Sequence, residues 1–344
     1  MLISFFCSQT MVAQERADKN ILTLSKVEEP VTLQKGRIQG NLRYIFDYYT
    51  KYYNSNGQKS DLIDHGLVSS MNQLNCYLSY GLTDKLQVGI QNGYYSGYEG
   101  YETVMKLFYG KYYNYTSTTE IGGLSDMLVN LGYKLSGKMQ KAEIAIFPGV
   151  YIPMSHDPKE PEYNISSISD GDTKDIHVDY TSDERVGTGT FRFNLASKTK
   201  LRFTNKMALQ IFGQYNFPLA SVRSVYWESI YDGEKYTNIK NNCSYSPSHE
   251  LIGNVEYQFI PDKKEIMGLS FGMNMKLNYN EWINKEENKE YLPNTCLSSI
   301  YTELELILSK NIRFHQKFWF DNAGKNTKGA ISTQTSFTLN FMAK

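Results

Sequence analysis

Charged residues near the C-terminus of the chain occupy alternate positions in two neighbouring segments. Glu303 and Glu305 are two residues apart. Arg313, His315 and Lys317 follow with the same spacing after a short connection. Because every second side chain of a β-strand points to the same side, two adjacent strands would bring these acids and bases together. Such charges either constrict a pore and select its solutes, or form a structural ladder that fills a barrel.

Other charged residues fall on the same polar face of their segments. If the apolar side chains face lipid, these polar sets line a lumen. The remaining candidate lumen and selectivity residues are Arg43, Asp47, Asp126, Lys134, Glu143, Arg192, Glu250 and Glu256. Acids and bases are both present, so a pore lined by them would carry no single sign of charge.

Few residues have the spacing that catalysis or metal binding needs. A hydrolase requires a nucleophile beside a positioned base, and Ser246-Pro247-Ser248-His249 is the one suggestive grouping. It matches no signature of such an enzyme. The acidic stretch from Asp170 to Asp175 fails the spacing of a calcium loop. We therefore expect no catalytic residue, no metal and no cofactor.

The four cysteines also lack metal-binding spacing. Cys76 falls on an apolar strand face, where it would act as a small hydrophobic residue. Cys243 and Cys296 fall in predicted surface loops, where an exported protein can form a disulfide. The sequence does not determine whether they pair.

Alternation of apolar and polar residues defines the elements that hold these side chains. In residues 265–280 one face is apolar and the other polar, a division that a helix would mix. The pattern recurs in segments of roughly ten residues, which is the signature of a transmembrane barrel. The sequence predicts about twelve strands. They are residues 38–50, 66–80, 85–95, 124–135, 142–153, 187–197, 206–217, 248–260, 265–280, 297–308, 311–321 and 331–343.

The connections between the predicted strands alternate between short and long. The long ones are residues 51–65, 96–122, 154–186, 218–247, 281–296 and 322–330. Periplasmic turns and extracellular loops alternate in this way. Tyr80, Tyr133 and Tyr257 lie on the apolar face just before short turns, where an aromatic girdle is expected. A soluble β-sandwich would explain the alternation of residues but not these two features.

The composition and the N-terminus narrow the class of protein. Lys+Arg and Asp+Glu each number 36, so the basic excess typical of nucleic-acid binding is missing. Residues 1–14 resemble the second half of a secretory signal peptide, with a disordered tail as the alternative. Residues 15–37 are either a periplasmic N-terminal segment or a plug that folds into the lumen. Residues 38–344 form the predicted barrel.

Several phrases in the second to fifth predicted strands resemble one family. They are Tyr80-Gly81-Leu82-Thr83-Asp84-Lys85-Leu86, Gly122-Gly123-Leu124-Ser125-Asp126, Gly132-Tyr133-Lys134-Leu135 and Phe147-Pro148-Gly149. With these phrases the chain resembles the outer-membrane transporters named after the MetA pathway of phenol degradation. The resemblance implies a β-barrel channel related to carriers of hydrophobic or aromatic compounds. It implies no particular functional residue.

These observations predict an all-β protein, a transmembrane antiparallel up-and-down β-barrel of the bacterial outer membrane. The expected function is passage of small solutes, hydrophobic or aromatic ones included, and the chain is not expected to be an enzyme. The expected partners are outer-membrane lipid and a small-molecule solute, without nucleic acid; the oligomeric state is not determined. The alternatives are a structural or surface-binding barrel with a filled lumen, and a hydrolase at the outer-membrane rim.

Overall fold

The computed structural model describes residues 25–62, 67–106, 112–135, 142–154, 157–170, 173–184, 186–231, 236–262, 266–285 and 288–343. The regular elements in these ranges are β-strands. Among the described residues, no helix is both long enough and apolar enough to cross a membrane. The predicted signal peptide and residues 15–24 of the predicted N-terminal segment lie outside the described residues.

Twelve long strands of the described chain close into one barrel. Each strand pairs antiparallel with its neighbours, and the last pairs with the first from Arg37↔Met342 to Tyr53↔Thr327. The barrel strands are β1 (Arg37–Tyr53), β3 (Leu67–Gly81), β4 (Leu86–Lys106), β6 (Met127–Lys134), β7 (Ala142–Ile152), β10 (Arg192–Thr204), β11 (Met207–Pro218), β14 (His249–Phe259), β15 (Met267–Tyr279), β18 (Thr295–Ile307), β19 (Ile312–Lys325) and β20 (Thr327–Met342). This closure confirms the predicted fold class.

The barrel is apolar outside and polar inside, the reverse of a soluble domain. On β15, Phe271, Met273 and Met275 are each about half exposed on the outer surface. On β20, Ser336 and Thr338 are buried inside the barrel. Side chains of one strand alternate between the two faces, so each strand meets lipid on one side and the lumen on the other. This arrangement is that of a transmembrane β-barrel.

The two ends of the barrel differ in their connections. At one end, which we name the turn end, β3 is joined to β4 and β18 to β19 by a few residues. Thr83 and Ser309 close these two turns with their hydroxyl groups. At the opposite end the long connections contain additional strands. These are β2 (Lys59–Asp61), β5 (Tyr112–Leu124), β8 (Glu162–Asp170), β9 (Thr173–Glu184), β12 (Val222–Tyr231), β13 (Tyr236–Ser246), β16 (Trp282–Lys285) and β17 (Asn288–Tyr291).

Strand β10 differs from its predicted bounds. The sequence predicts a strand over residues 187–197, whereas β10 runs from Arg192 to Thr204. Gly187 and Gly189 have φ values of 82° and 64°, which are incompatible with an extended strand over residues 187–191. Ser197 and Thr199 lie on the outer face of β10, so the apolar alternation is interrupted between Leu195 and Leu201. Lys198, Lys200 and Arg202 on the inner face were consequently missed as lumen residues.

Strands β19 and β20 separate near their connection, and the ring of Tyr53 lies between them. Pairing between these strands ends at Phe320↔Ile331, although each continues along its other neighbour. Tyr53 is 2% exposed and donates a hydrogen bond of 3.0 Å to the Asp321 carbonyl. A side chain at Gly324 or Gly329 would collide with the Tyr53 ring. The predicted loop 322–330 therefore corresponds to the part where the two strands separate.

The assignment of faces gives a direct test with two adjacent positions of β4. Ile90 is 44% exposed on the outer surface, whereas Gln91 faces the lumen. We expect Ile90→Lys to lower the free energy of unfolding in lipid by about 2–4 kcal/mol, the cost of a cation on the lipid face. The matched control Gln91→Lys adds the same charge to the lumen and should leave stability nearly unchanged. Equal losses in denaturant titrations of the two variants would contradict the assignment.

Candidate solute pathway through the lumen

Residues 25–36, which we name the inner segment, lie inside the barrel at its turn end. The Val31 backbone N–H donates to the Glu143 carboxylate at 3.2 Å, and that of Leu33 donates to Gln87 at 2.7 Å. On the other side of the barrel, the backbone N–H of Lys26 donates to Glu305. The segment thus bonds to inward side chains of β4, β7 and β18. It extends across the lumen rather than along one wall.

The inner segment begins with a single helical turn that the sequence encodes as a capping box. The Glu28 carboxylate accepts hydrogen bonds from the Ser25 hydroxyl at 2.8 Å and from the Ser25 backbone N–H at 3.1 Å. The Glu29 N–H donates to the Ser25 carbonyl at 2.8 Å. Ser-x-x-Glu is the pattern that satisfies the free N–H groups at the start of a helix.

A single helical turn leaves its last carbonyl oxygens without backbone partners. Two cations on β10 donate hydrogen bonds to these oxygens. Lys200 donates to the carbonyls of Lys26 and Glu29. Arg202 donates to the carbonyl of Val27 at 2.9 Å and to that of Glu29 at 3.0 Å, with a longer bond to Glu28. Lys200 is 1% exposed, so these contacts replace water as its partner.

Ion pairs hold the side chains of the same turn. The Lys26 ammonium lies 2.7 Å from Glu303 and 3.2 Å from Glu256. Glu29 lies 3.0 Å from the Arg313 guanidinium. Burial alone would raise the pKa of the Glu29 carboxyl, but Arg313, Lys198 and Lys200 lower it to about 2. Glu29 therefore stays charged through the neutral range.

The backbone of the inner segment also passes very close to the barrel wall at Gly81. A side chain at Gly81 would collide with the Gln34 carbonyl. Gly36, with a φ of 75°, donates from its N–H to the Gly81 carbonyl at 2.8 Å before β1 begins. Apolar contact adds to this docking, because Val27 packs against Ala208 and Ile260. The glycine of the Tyr80–Asp84 turn thus has a role in docking the segment.

The sharpest predicted cluster is present, with a partner that the sequence did not indicate. His315 Nδ1 lies 2.8 Å from Glu303, and Arg313 lies 3.9 Å from Glu305. The wall acids and bases therefore face each other as predicted. Lys26 and Glu29 of the inner segment join this cluster from the lumen side. Glu143 similarly bonds Lys134 at 2.6 Å and Arg202 at 3.1 Å.

The other predicted lumen residues lie farther from the turn end. Asp126 accepts bonds from the Thr188 N–H and hydroxyl and lies 3.6 Å from Arg192, which stacks on Tyr151. Glu250 lies 2.6 Å from Lys276. Asp47 accepts a hydrogen bond from Gln73 at 2.7 Å. Arg43 and Lys317 lie between this layer and the inner segment.

Aromatic rings lie flat on the lumen wall where the neighbouring strand has glycine. Tyr301 lies against Gly272, Phe147 against Gly132, and the Tyr77 ring reaches Gly89; a side chain at any of these glycines would collide with the ring. Rings placed over strand glycines restore the contacts that a missing side chain loses. The lumen therefore presents aromatic surface between its charged layers.

His249 and the cysteines are the residues that catalysis or metal binding would require. His249 Nδ1 shares a hydrogen bond of 2.8 Å with the Tyr215 hydroxyl, and the His249 ring stacks on Tyr279. Cys76 and Cys296 are free cysteines, and the Cys243 thiol donates to the Ser224 carbonyl at 3.5 Å. Among the described residues, no grouping of His, Cys, Asp or Glu could hold a metal ion. Part of the acidic stretch 170–175 lies outside the described residues.

Comparison with known proteins identifies the fold. No family model and no curated protein matches the chain. An outer-membrane channel from Pseudomonas putida F1 is similar in structure, with a TM-score of 0.59 and 12% identity over 93% of this chain and 100% of that one. The P. putida toluene transporter TodX has a TM-score of 0.47 and 11% identity, covering 91% of this chain and 92% of TodX. The Ralstonia pickettii toluene transporter TbuX has a TM-score of 0.45 and 10% identity, covering 92% of each chain.

At these identities the likeness concerns the fold alone. Of the three structures, the P. putida F1 channel is the one with a TM-score above 0.5. The fold is that of an outer-membrane β-barrel. The narrower resemblance to the transporters of the phenol pathway is not confirmed by any family model.

The contacts of β10 predict what holds the inner segment. Replacing both Lys200 and Arg202 by Ala leaves four carbonyls of the turn without charged donors, and each such bond contributes about 1.5–3 kcal/mol. We expect limited proteolysis to cleave residues 26–35 in the double variant but not in the unchanged protein. Lys276→Ala, which removes a lumen cation at the other end, is the control. A double variant as resistant as the control would contradict this role.

Proposed function

We propose that this protein is an outer-membrane channel for small hydrophobic or aromatic solutes, closed at one end by the inner segment acting as a plug. The observation that carries the proposal is the inner segment itself, which bonds to opposite sides of a closed, polar-lined barrel. A barrel filled for stability alone would need no separate segment at one mouth. A channel that must exclude water and ions does.

The orientation follows from the connections of the strands. In outer-membrane barrels the short turns face the periplasm and the long loops face the exterior. The plug then closes the periplasmic mouth, while solutes enter from the loop end.

The proposed solute class is supported by the surface inside the barrel. Aromatic side chains recur above the plug, among them Tyr77 and Phe147, and they favour flat apolar molecules through stacking. The similar P. putida F1 structure is named as an outer-membrane channel. Membership of the phenol-pathway transporters, which the sequence phrases suggested, belongs to this proposal.

The charged lumen residues divide into two proposed roles. Glu143, Glu256, Glu303, Glu305, Arg313 and His315 form the seat of the plug. Asp126 and Arg192 at the loop end would instead meet an entering solute. The alternative of a filled structural barrel assigns no solute to either group, and the two experiments that follow separate it from a channel.

Deleting the plug tests whether it closes a water-filled path. We expect a variant lacking residues 25–35 to give large conductance steps in planar bilayers, because the seat would then face open lumen. The full chain should conduct several-fold less. The deletion leaves Gly36 to begin β1. If the deleted and full chains are equally silent although both are folded, no water-filled lumen exists behind the plug.

Uptake by cells tests the solute class. Bacteria that carry the full protein in their outer membrane should take up labelled benzyl alcohol faster initially than the same cells without it. Sucrose, which is polar and larger, is the control solute and should show no gain. An unchanged rate of benzyl alcohol uptake, with the folded protein present in the membrane, would favour the structural barrel.

A further inference from the structure

We propose that the lumen directly above the plug contains a binding site for aromatic solutes that carry an oxyanion, such as aromatic carboxylates. The site is formed by Arg43 and Lys317 together with the ring of Trp319. This inference deepens the proposed channel function and rests on it, because it names the chemical class of solute that the lumen binds.

The two cations project into the lumen from neighbouring parts of the wall. Arg43 lies on β1 between Leu42 and Tyr44, both of which are exposed on the outer face, so its own side chain points inward. Lys317 lies on β19, and only β20 separates β1 from β19. The register places Arg43 level with His315, one inward position below Lys317. The charges of Arg43 and Lys317 act on each other.

Neither cation forms an ion pair within the described part of the chain. This distinguishes them from Lys26, Arg202 and Arg313, each of which contacts a carboxylate of the plug or its seat. Arg43 is also exposed to the lumen. Lys317 is half-buried over the Tyr301 ring and stands opposite Glu303 in the strand register, so Arg43 is the cation that faces the open lumen.

The nearest acids have other partners. Glu303 is bonded by Lys26 and by His315. Asp47 accepts from Gln73, and Asp321 accepts from Ser299 and from the Ala330 N–H. The carboxylates around Arg43 and Lys317 are thus held in fixed positions by these contacts. A mobile anion from outside the protein is the missing partner.

The same place offers stacking surface for a ring. The Lys317 ammonium lies 3.4 Å from the centre of the Tyr301 ring and 5.7 Å from that of Trp319. Trp319 supplies this surface, because Tyr301 is buried between the Lys317 ammonium and Gly272, with its hydroxyl donating to Glu256 at 2.7 Å. Tyr95 projects inward from β4 and lies near Arg43.

A solute with both a ring and an oxyanion fits this arrangement best. Its oxyanion would form charge-assisted hydrogen bonds with Arg43 and Lys317, which are about twice as strong as neutral ones. Its ring would pack on Trp319. A neutral ring of the same size obtains the stacking alone and leaves both cations without an ion-pair partner.

The test compares benzoate with benzyl alcohol, which has a similar shape and no charge. We expect calorimetric titration of the full chain in detergent to give tighter binding of benzoate. In the variant Arg43→Gln with Lys317→Gln, benzoate affinity should fall about tenfold or more, whereas benzyl alcohol affinity should stay the same. Lys276→Gln is the matched control, since it removes one lumen cation that Glu250 already pairs.

Each outcome decides the inference. Benzoate preference that disappears only in the Arg43 and Lys317 variant supports the site. Equal binding of both ligands to the unchanged protein, or benzoate binding that survives in the variant, overturns it while the channel function stands. Circular dichroism confirms that every variant keeps its β-sheet. If neither ligand binds and benzyl alcohol uptake by cells is also unchanged, the proposed function fails together with the inference.

Discussion

One helical turn presents its carbonyl oxygens to two cations of the barrel wall, and the docking of the inner segment depends on that interaction. Lys200 and Arg202 are the partners that the turn of residues 25–29 lacks within itself. In the absence of the turn, Lys200 would lose both of its carbonyl partners and Arg202 would keep Glu143 alone among these contacts, at a cost in free energy. The inner segment therefore provides acceptors for the wall cations, and the wall provides donors for the carbonyls of the turn. The remaining ion pairs, of Lys26 with Glu303 and of Glu29 with Arg313, fix the position of the turn.

The barrel makes such a network possible because it separates two environments. Lipid-facing positions carry apolar side chains such as Phe271 and Ile331, and strand alternation directs the polar residues inward. Where glycine interrupts the polar lining, an inward ring lies over it, as Tyr301 lies over Gly272. The interior is thus divided along its axis. A charged, occupied end lies at the turns, and a region with aromatic surface and two cations without ion pairs lies above it.

The sequence predicted the strands well because a two-residue period is visible wherever lipid demands apolar side chains. It predicted the facing acids and bases around Glu303 and His315 for the same reason. Lys198, Lys200 and Arg202 were missed because Ser197 and Thr199 hide the period on the outer face of β10. The course of the inner segment depends on contacts distant in sequence, such as Val31 with Glu143. The Ser25-x-x-Glu28 pattern was the local signal that a helical turn precedes the first strand.

Cross-linking of the inner segment to the wall tests the central claim most directly. Leu33 and Gln87 are in contact through the Leu33 N–H. With the native cysteines replaced by Ser, the variant carrying Leu33→Cys and Gln87→Cys should join rapidly with a short dithiol-specific reagent in native membranes. Leu33→Cys with Lys276→Cys, whose partner lies at the loop end, should not join. Equal cross-linking of both variants, or of neither, would contradict a segment docked at the turn end of the lumen.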